Sequence, residues 1–234
     1  MRHVISKRIS PNATLPLQAS TYNDLYTHEQ TLQERELAYF FLDIRDFTPF
    51  IASRPVMEVM ELLQQVFKIF RQAINSNGGT IIETAGDGLY AVFGLEDTLH
   101  QAASSAVEAG MAIIRQLDVA NHTNFRPMYQ HCFQVGMGLH VGKGVVGRMG
   151  LGINNQLTVM GYPVNIAARL QQSTKQLNNS FIISADVYAL LSYPPKAVNK
   201  QLMLRGIPGK LDVFLLGEAY HFTSCRQTAW KVAC

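Results

Sequence analysis

The chain is short of the residues that staple or clip a small domain together. Its three cysteines, Cys132, Cys225 and Cys234, are odd in number, widely spaced and free of any CxxC pair. They are read as core or tail thiols, which argues against a disulfide framework or a zinc site. No apolar stretch approaches the roughly 20 residues needed to cross a bilayer, and no signal-peptide core opens the chain. These absences predict a soluble, cytoplasmic protein that makes no use of a membrane. The formal net charge of +3 is mild and its basic residues are dispersed, with no run of five, so nucleic acid is not an implied partner. Internal repeats, linkers and low-complexity segments are missing too. What remains is 234 residues, 47% of them apolar, enough for one well-buried domain of catalytic size and hardly for two.

Residues 1–36 are polar and irregular, with Pro11 and Pro16 and a short helix expected around 27–36, and read as an N-terminal arm. The apolar run Leu37 to Leu42 predicts a buried strand that delivers Asp43 at its tip. Val56, Val59, Leu63, Val66, Phe67, Phe70 and Ile74 follow helical spacing up to Asn77-Gly78-Gly79. Thr80 to Glu83 and Leu89 to Phe93 predict two strands joined by Gly86-Asp87-Gly88, a turn with hairpin chemistry that carries a second carboxylate. A second amphipathic helix runs from Leu99 to Leu117, and 121–126 reads as a polar loop. Strands are expected at 133–140, 145–148, 156–160 and 180–184, a helix at about 164–177, and a last hairpin at 202–205 and 212–216. Residues 219–234 form a polar tail. This order predicts an α+β protein with a ferredoxin-like βαββαβ core and extra C-terminal strands.

Asp43 and Asp87 interrupt apolar strand residues, where a charge is costly unless it meets solvent, a cation or a partner. If their strands are neighbours, the carboxylates converge, and their repulsion is relieved by Mg²⁺ or Mn²⁺, hard cations that bind jointly with a triphosphate. Two such ions polarise an attacking hydroxyl and neutralise a leaving group. Taken alone, each aspartate is equally a turn or strand cap.

The ordered set is more specific than its parts. Phe41-Leu42-Asp43-Ile44-Arg45-Asp46-Phe47-Thr48, then Gly78-Gly79, Ala85-Gly86-Asp87-Gly88, Gly138-Leu139-His140-Val141-Gly142, Val146-Gly147 and Gly161-Tyr162-Pro163-Val164-Asn165-Ile166-Ala167-Ala168-Arg169-Leu170 resemble the class III adenylyl and guanylyl cyclase domain. The resemblance covers residues 37–218, taken as the catalytic domain. It implies that Asp43, Asp87 and the Ile44 carbonyl hold two divalent metal ions, Mg²⁺ or Mn²⁺. It implies that backbone amides around Phe47 and Thr48 cradle phosphate. Asn165 and Arg169, four apart on one helix face, take the family's ribose-orienting and transition-state roles. The implied reaction converts a nucleoside triphosphate to a 3′,5′-cyclic nucleotide and pyrophosphate, and the implied assembly is a homodimer with active sites at the interface.

Base choice rests on departures from the family pattern. Glu83 and Thr158 stand where adenylyl cyclases carry Lys and Asp. A carboxylate only accepts hydrogen bonds, so Glu83 suits an N–H edge, as in guanine or uracil, and disfavours ATP. Phe50 and Tyr90 replace common aliphatic residues and are candidates to fill space beside the base, though both also suit a core. Gly136 stands where many members carry a phosphate-binding Arg, leaving Lys143, Arg148, Arg205 or Lys210 to meet that charge. With no receptor or sensor segment in the chain, an external trigger is expected. A stand-alone domain of this kind resembles the pyrimidine cyclases of the bacterial Pycsar anti-phage system, whose cyclic UMP or cyclic CMP activates a separate effector. UTP is the first choice, with GTP the alternative. A non-catalytic nucleotide-binding module is a second alternative, although Asp43, Asp87, Asn165 and Arg169 are all present.

Overall fold

The computed structural model describes residues 32–149 and 156–220. In chain order the elements are β1 (Gln33–Ile44), α1 (Phe47–Ala52), α2 (Val56–Ser76), β2 (Thr80–Ala85), β3 (Gly88–Phe93) and α3 (Leu99–Ala120). A π-helical turn (Asn121–Phe125) and α4 (Arg126–Tyr129) lead to β4 (Val135–Met149), β5 (Gln156–Met160), α5 (Tyr162–Gln176), β6 (Phe181–Ser184), α6 (Ala185–Leu190), β7 (Val198–Met203) and β8 (Lys210–Leu215).

Strand β1 is apolar on both faces because both are covered. Ala38, Phe40, Leu42 and Ile44 enter one cluster, and Leu37 and Tyr39 enter another, which places the strand inside the sheet. The order β2-β3-β1-β4 is antiparallel throughout, the arrangement of a ferredoxin-like core. Helices α2 and α3 cover its first face with Val59, Leu62, Val66, Phe70, Ala106 and Ile113. A Thr98–Gln101 capping box opens α3, and Gly78, at φ 73°, ends α2 in the left-handed backbone that glycine tolerates. Beyond β4 the sheet continues through β6, parallel to β4, then β8 and β7, while β5 pairs with the far half of β4.

Helix α5 lies close on the second face because β4 presents glycine beneath it at Gly138 and Gly142. A Cβ at Gly138 would sit 2.5 Å from the Ala167 carbonyl oxygen and 2.9 Å from Gln171 Cα, and one at Gly142 would sit 2.6 Å from Pro163 Cγ. At Gly138 the obstacle is helix backbone, which has no rotamer to change. Gly138→Ala is therefore expected to lift α5 and cost about 2 kcal/mol, lowering the melting temperature by about 6 °C in a thermal denaturation scan.

Several expectations are corrected. Residues 33–36 are strand, not arm or helix, because β1 continues along β4 as far as the Gln33–Val146 pair. The segment 121–126 is helical and closed by Asn121, whose side chain bonds both backbone groups of Phe133 at 2.8 Å. The separate strands at 133–140 and 145–148 are one, β4. Helices α1 and α6 were not foreseen, each being too short to show a period. The first 31 residues, and 221–234 of the tail with Cys225 and Cys234, lie outside the described residues.

Candidate active site

The two carboxylates meet through strand register. Asp43 pairs with Gly88 across β1 and β3, which sets the β2–β3 turn beside the end of β1, and Ile44 N–H donates to the Asp87 carbonyl at 3.3 Å. Asp43 Oδ1 is 3.6 Å from where a Cβ on Gly88 would be. Burial pushes the Asp43 carboxyl pKa up and the Asp87 charge adds to this, while Arg45 and Gln171 pull it down. An elevated carboxyl beside a second carboxylate marks a place where negative charge is undersupplied with partners. Among the described residues no group of three or more His, Cys, Asp or Glu side chains converges on a common point. The protein's own donors are thus two carboxylates beside the Ile44 backbone. Such an all-oxygen set fits a hard divalent cation whose remaining positions are filled by phosphate and water.

Past this pair the chain turns sharply. Asp46 takes a left-handed conformation at φ 51° and leads into α1 without a side-chain cap, so the first amides of α1, at Phe47 and Thr48, have no side-chain acceptor at Asp46. The Phe47 side chain is buried and that of Thr48 is exposed.

Asn165 and Arg169 do not join the carboxylates of their own chain. The stripe of α5 that rests on the sheet is Pro163, Ile166, Ala167, Leu170, Gln171 and Thr174; Asn165 is exposed and Arg169 half-buried, with Nη1 on Gln172 Oε1 at 2.6 Å. Asn165 lies six residues, about 9 Å of helix, before Gln171, the α5 residue beside Asp43. Lys143 is seven residues along β4 from Gly136, the register partner of Asp43, or about 23 Å. Its carbonyl instead lies near Gly161, at the start of α5. Lys210, at the start of β8, falls at the same far end of the sheet. Arg205 is exposed in the β7–β8 turn, and Arg148 stands opposite Leu157 in the β4–β5 pair. Lys143 and Lys210 thus stand at the far end of the sheet from the carboxylates and alternate onto its helical face, whereas Asp43 alternates onto the face beneath α5.

The base candidates fare unequally. Tyr90 is buried, stacks on Phe41 with centroids 4.6 Å apart, and donates to the Val159 carbonyl at 3.4 Å. A bulge between Ile81 and Glu83 lets both Ile82 and Glu83 face this cluster, since a bulge sets two residues against one. Glu83 stays exposed opposite Tyr90 and makes no side-chain hydrogen bond or ion pair among the described residues. Thr158 alternates with inward-facing Leu157 and Val159, and its hydroxyl donates to the Gln156 carbonyl at 3.3 Å. Phe50 is a correction. It is a core ring on the other face, packed on Phe47, His131 and Phe133 beneath Arg54, and is not available to a base.

Two residues beside Asp43 escaped the sequence reading. Arg45 Nη2 is 3.3 Å from Asp43 Oδ2, and Gln171 is buried with Nε2 lacking a completed hydrogen bond. Both carried a signal: Arg45 shares the Asp43 face by strand alternation, and Gln171 is a polar residue in an apolar helix stripe.

A ferredoxin-like sheet thus carries two neighbouring carboxylates, Asp43 and Asp87, at one end of its two central strands. The family model of the adenylate and guanylate cyclase catalytic domain matches residues 30–218, and the chain belongs to that family. It is 32% identical over 157 residues to adenylate cyclase 1 of Rhizobium meliloti, covering 66% of this chain and 23% of that protein. The chain spans less than a third of the length of such relatives, from 7% to 31%. The adenylyl cyclase CyaB of P. aeruginosa superposes with a TM-score of 0.73 at 24% identity, over 81% of this chain and 97% of that one. The guanylyl cyclase Cya2 gives 0.72 at 22%, over 80% and 94%. Class III cyclases use divalent metal ions. Among the described residues no helix is long and apolar enough to cross a membrane.

Proposed function

We propose that the chain is a nucleotidyl cyclase that closes a nucleoside triphosphate, UTP in first place, to its 3′,5′-cyclic monophosphate with release of pyrophosphate. The observation that carries this reading is the convergence of Asp43 and Asp87 at one end of the sheet. In this reading Asp43, Asp87 and the Ile44 carbonyl hold two ions, Mg²⁺ or Mn²⁺. When bound, such ions supply positive charge that acidifies the ribose 3′ hydroxyl and neutralises the departing pyrophosphate. The amides of Phe47 and Thr48 hold phosphate oxygens. Arg169 meets the charge that builds on the α-phosphoryl group, and Asn165 orients the ribose.

Asn165, Arg169, Lys143 and Lys210 stand away from the carboxylates of their own chain, so we assign them to the site of a second copy. A homodimer related by a two-fold axis then completes two equivalent sites. Lys143 and Lys210 supply cationic charge that Gly136 does not.

For the base, the bulge at Ile82 supports Glu83, which offers acceptors to the uracil N3–H, with Tyr90 as the buried wall behind it and Thr158, which alternates away from that wall, as a second contact. Guanine N1–H and N2–H₂ satisfy Glu83 equally well, which keeps GTP as the second reading. A cyclic UMP product fits a second messenger read by a separate effector in anti-phage defence. Incubating the purified protein and Mn²⁺ with UTP, GTP, CTP and ATP separately, with products identified by mass spectrometry, is expected to give cyclic UMP. Cyclic GMP as the sole product overturns the pyrimidine reading. Binding of nucleotide without turnover of any of the four overturns the enzyme.

A further inference from the structure

The guanidinium of Arg45 has an unusual seat. It lies over Gly136, where a Cβ would come within 2.7 Å of Arg45 Cζ and would also meet Nη2 and Thr174 Oγ1. The ring of Tyr220 lies 5.8 Å from Cζ, and Tyr220 is fixed in turn by its hydroxyl on the Val135 carbonyl at 3.1 Å and its N–H on Asn178 Oδ1 at 3.0 Å. The Arg45 side chain is 12% exposed, and its Nη2 reaches Asp43 Oδ2 at 3.3 Å. Its Nε is buried with no hydrogen-bond partner. A guanidinium carries five donors in a fixed fork, so this one is held in place yet poorly satisfied. Gln171 Nε2, also buried without a completed hydrogen bond, stands beside the same carboxylate. Asp43 therefore has two donors near it, one cationic and one neutral.

We propose that Arg45 is a resident counter-cation of the Asp43–Asp87 pair, which holds Asp43 Oδ2 while the pair is free and yields it when the pair takes a divalent cation. The proposal rests on the reading of Asp43 and Asp87 as metal ligands. Its physical basis is charge. The charged groups acting on Asp43 are Asp87 and Arg45, and a fixed positive charge a few ångströms from a dication opposes its binding even at high dielectric. In exchange, Arg45 shields the two carboxylates from each other when no cation is present. Gly136 is what makes the seat possible, since any side chain there would take the space of the guanidinium. Gln171 is the neutral donor positioned to take over Asp43 when Arg45 withdraws.

The test is Mn²⁺ binding to nucleotide-free protein, followed by water-proton relaxation, which reaches weak affinities. Arg45→Gln is expected to bind Mn²⁺ about tenfold more tightly than wild type at low salt, with the difference shrinking as ionic strength rises. Arg45→Lys, which keeps the charge, is expected to stay within about twofold of wild type. Weaker or unchanged binding in a folded Arg45→Gln protein overturns the proposal while leaving the metal site standing. An Asp43→Asn protein that binds Mn²⁺ as well as wild type overturns the metal-site reading itself, and this proposal with it.

Discussion

Asp43→Asn is expected to lower pyrophosphate release by about 10³-fold or more while leaving the protein folded and at least as stable as wild type. The first half follows from placement. Asp43 is the penultimate residue of β1, its register partner Gly88 brings Asp87 beside it, and no third acidic side chain among the described residues converges there to replace it. Removing one of two anionic ligands removes charge stabilisation that acts on attacking and leaving oxygens together. The second half follows from sign. Burial and Asp87 raise the Asp43 pKa in the folded state, so the ionised form is less favourable there than in the unfolded chain. For a carboxyl with a raised folded pKa, stability is lost as pH rises through the titration, and the ionised group is a net cost at neutral pH. A neutral amide of the same shape relieves that cost. Steady-state pyrophosphate release and a thermal melt read the two halves separately. A variant that is inactive because it is unfolded would show in the melt and contradict the account.

Arg169→Ala is expected to lower kcat by about 10²- to 10³-fold with little change in KM, the pattern of a group that acts on transition-state charge. Arg169 is half-buried on α5, held by Gln172, and pairs by helical spacing with exposed Asn165. Neither residue supports the core, since Ile166, Ala167 and Leu170 do that. The substitution should leave the melting temperature within a few degrees of wild type. A rise in KM with kcat unchanged would instead make Arg169 a ground-state binding group.

Much of the fold was readable because its period was. The three/four spacing of α2 and α3, the apolar run of β1 and the Gly86-Asp87-Gly88 turn each carried a local signal strong enough to place the element. The Asp43–Asp87 pair followed from two strand ends expected to be neighbours. What escaped depends on contacts remote in sequence. Nothing local in 33–36 announces a strand, which exists because β4 continues beside it. Gly136 read as a missing cation; only the arrival of Arg45 and Thr174 over it shows why glycine is needed there. Phe50 and Tyr90 were indistinguishable as bulky aromatic residues, and sheet face separates them: Tyr90 alternates onto the carboxylate side, whereas Phe50 packs into the helical side. Lys143 and Lys210 were grouped with the aspartates by charge alone, and the sheet puts its length between them.

The centre of the proposed function is that each site takes its carboxylates from one chain and its Asn165 and Arg169 from a second. Mixing Asp43→Asn and Arg169→Ala proteins, each inactive alone, under conditions where protomers exchange tests it most directly. Equal mixing makes half the dimers hybrid, each with one intact site of two, so activity should recover to about a quarter of wild type. A mixture as inactive as its components, with exchange demonstrated, would contradict the shared site.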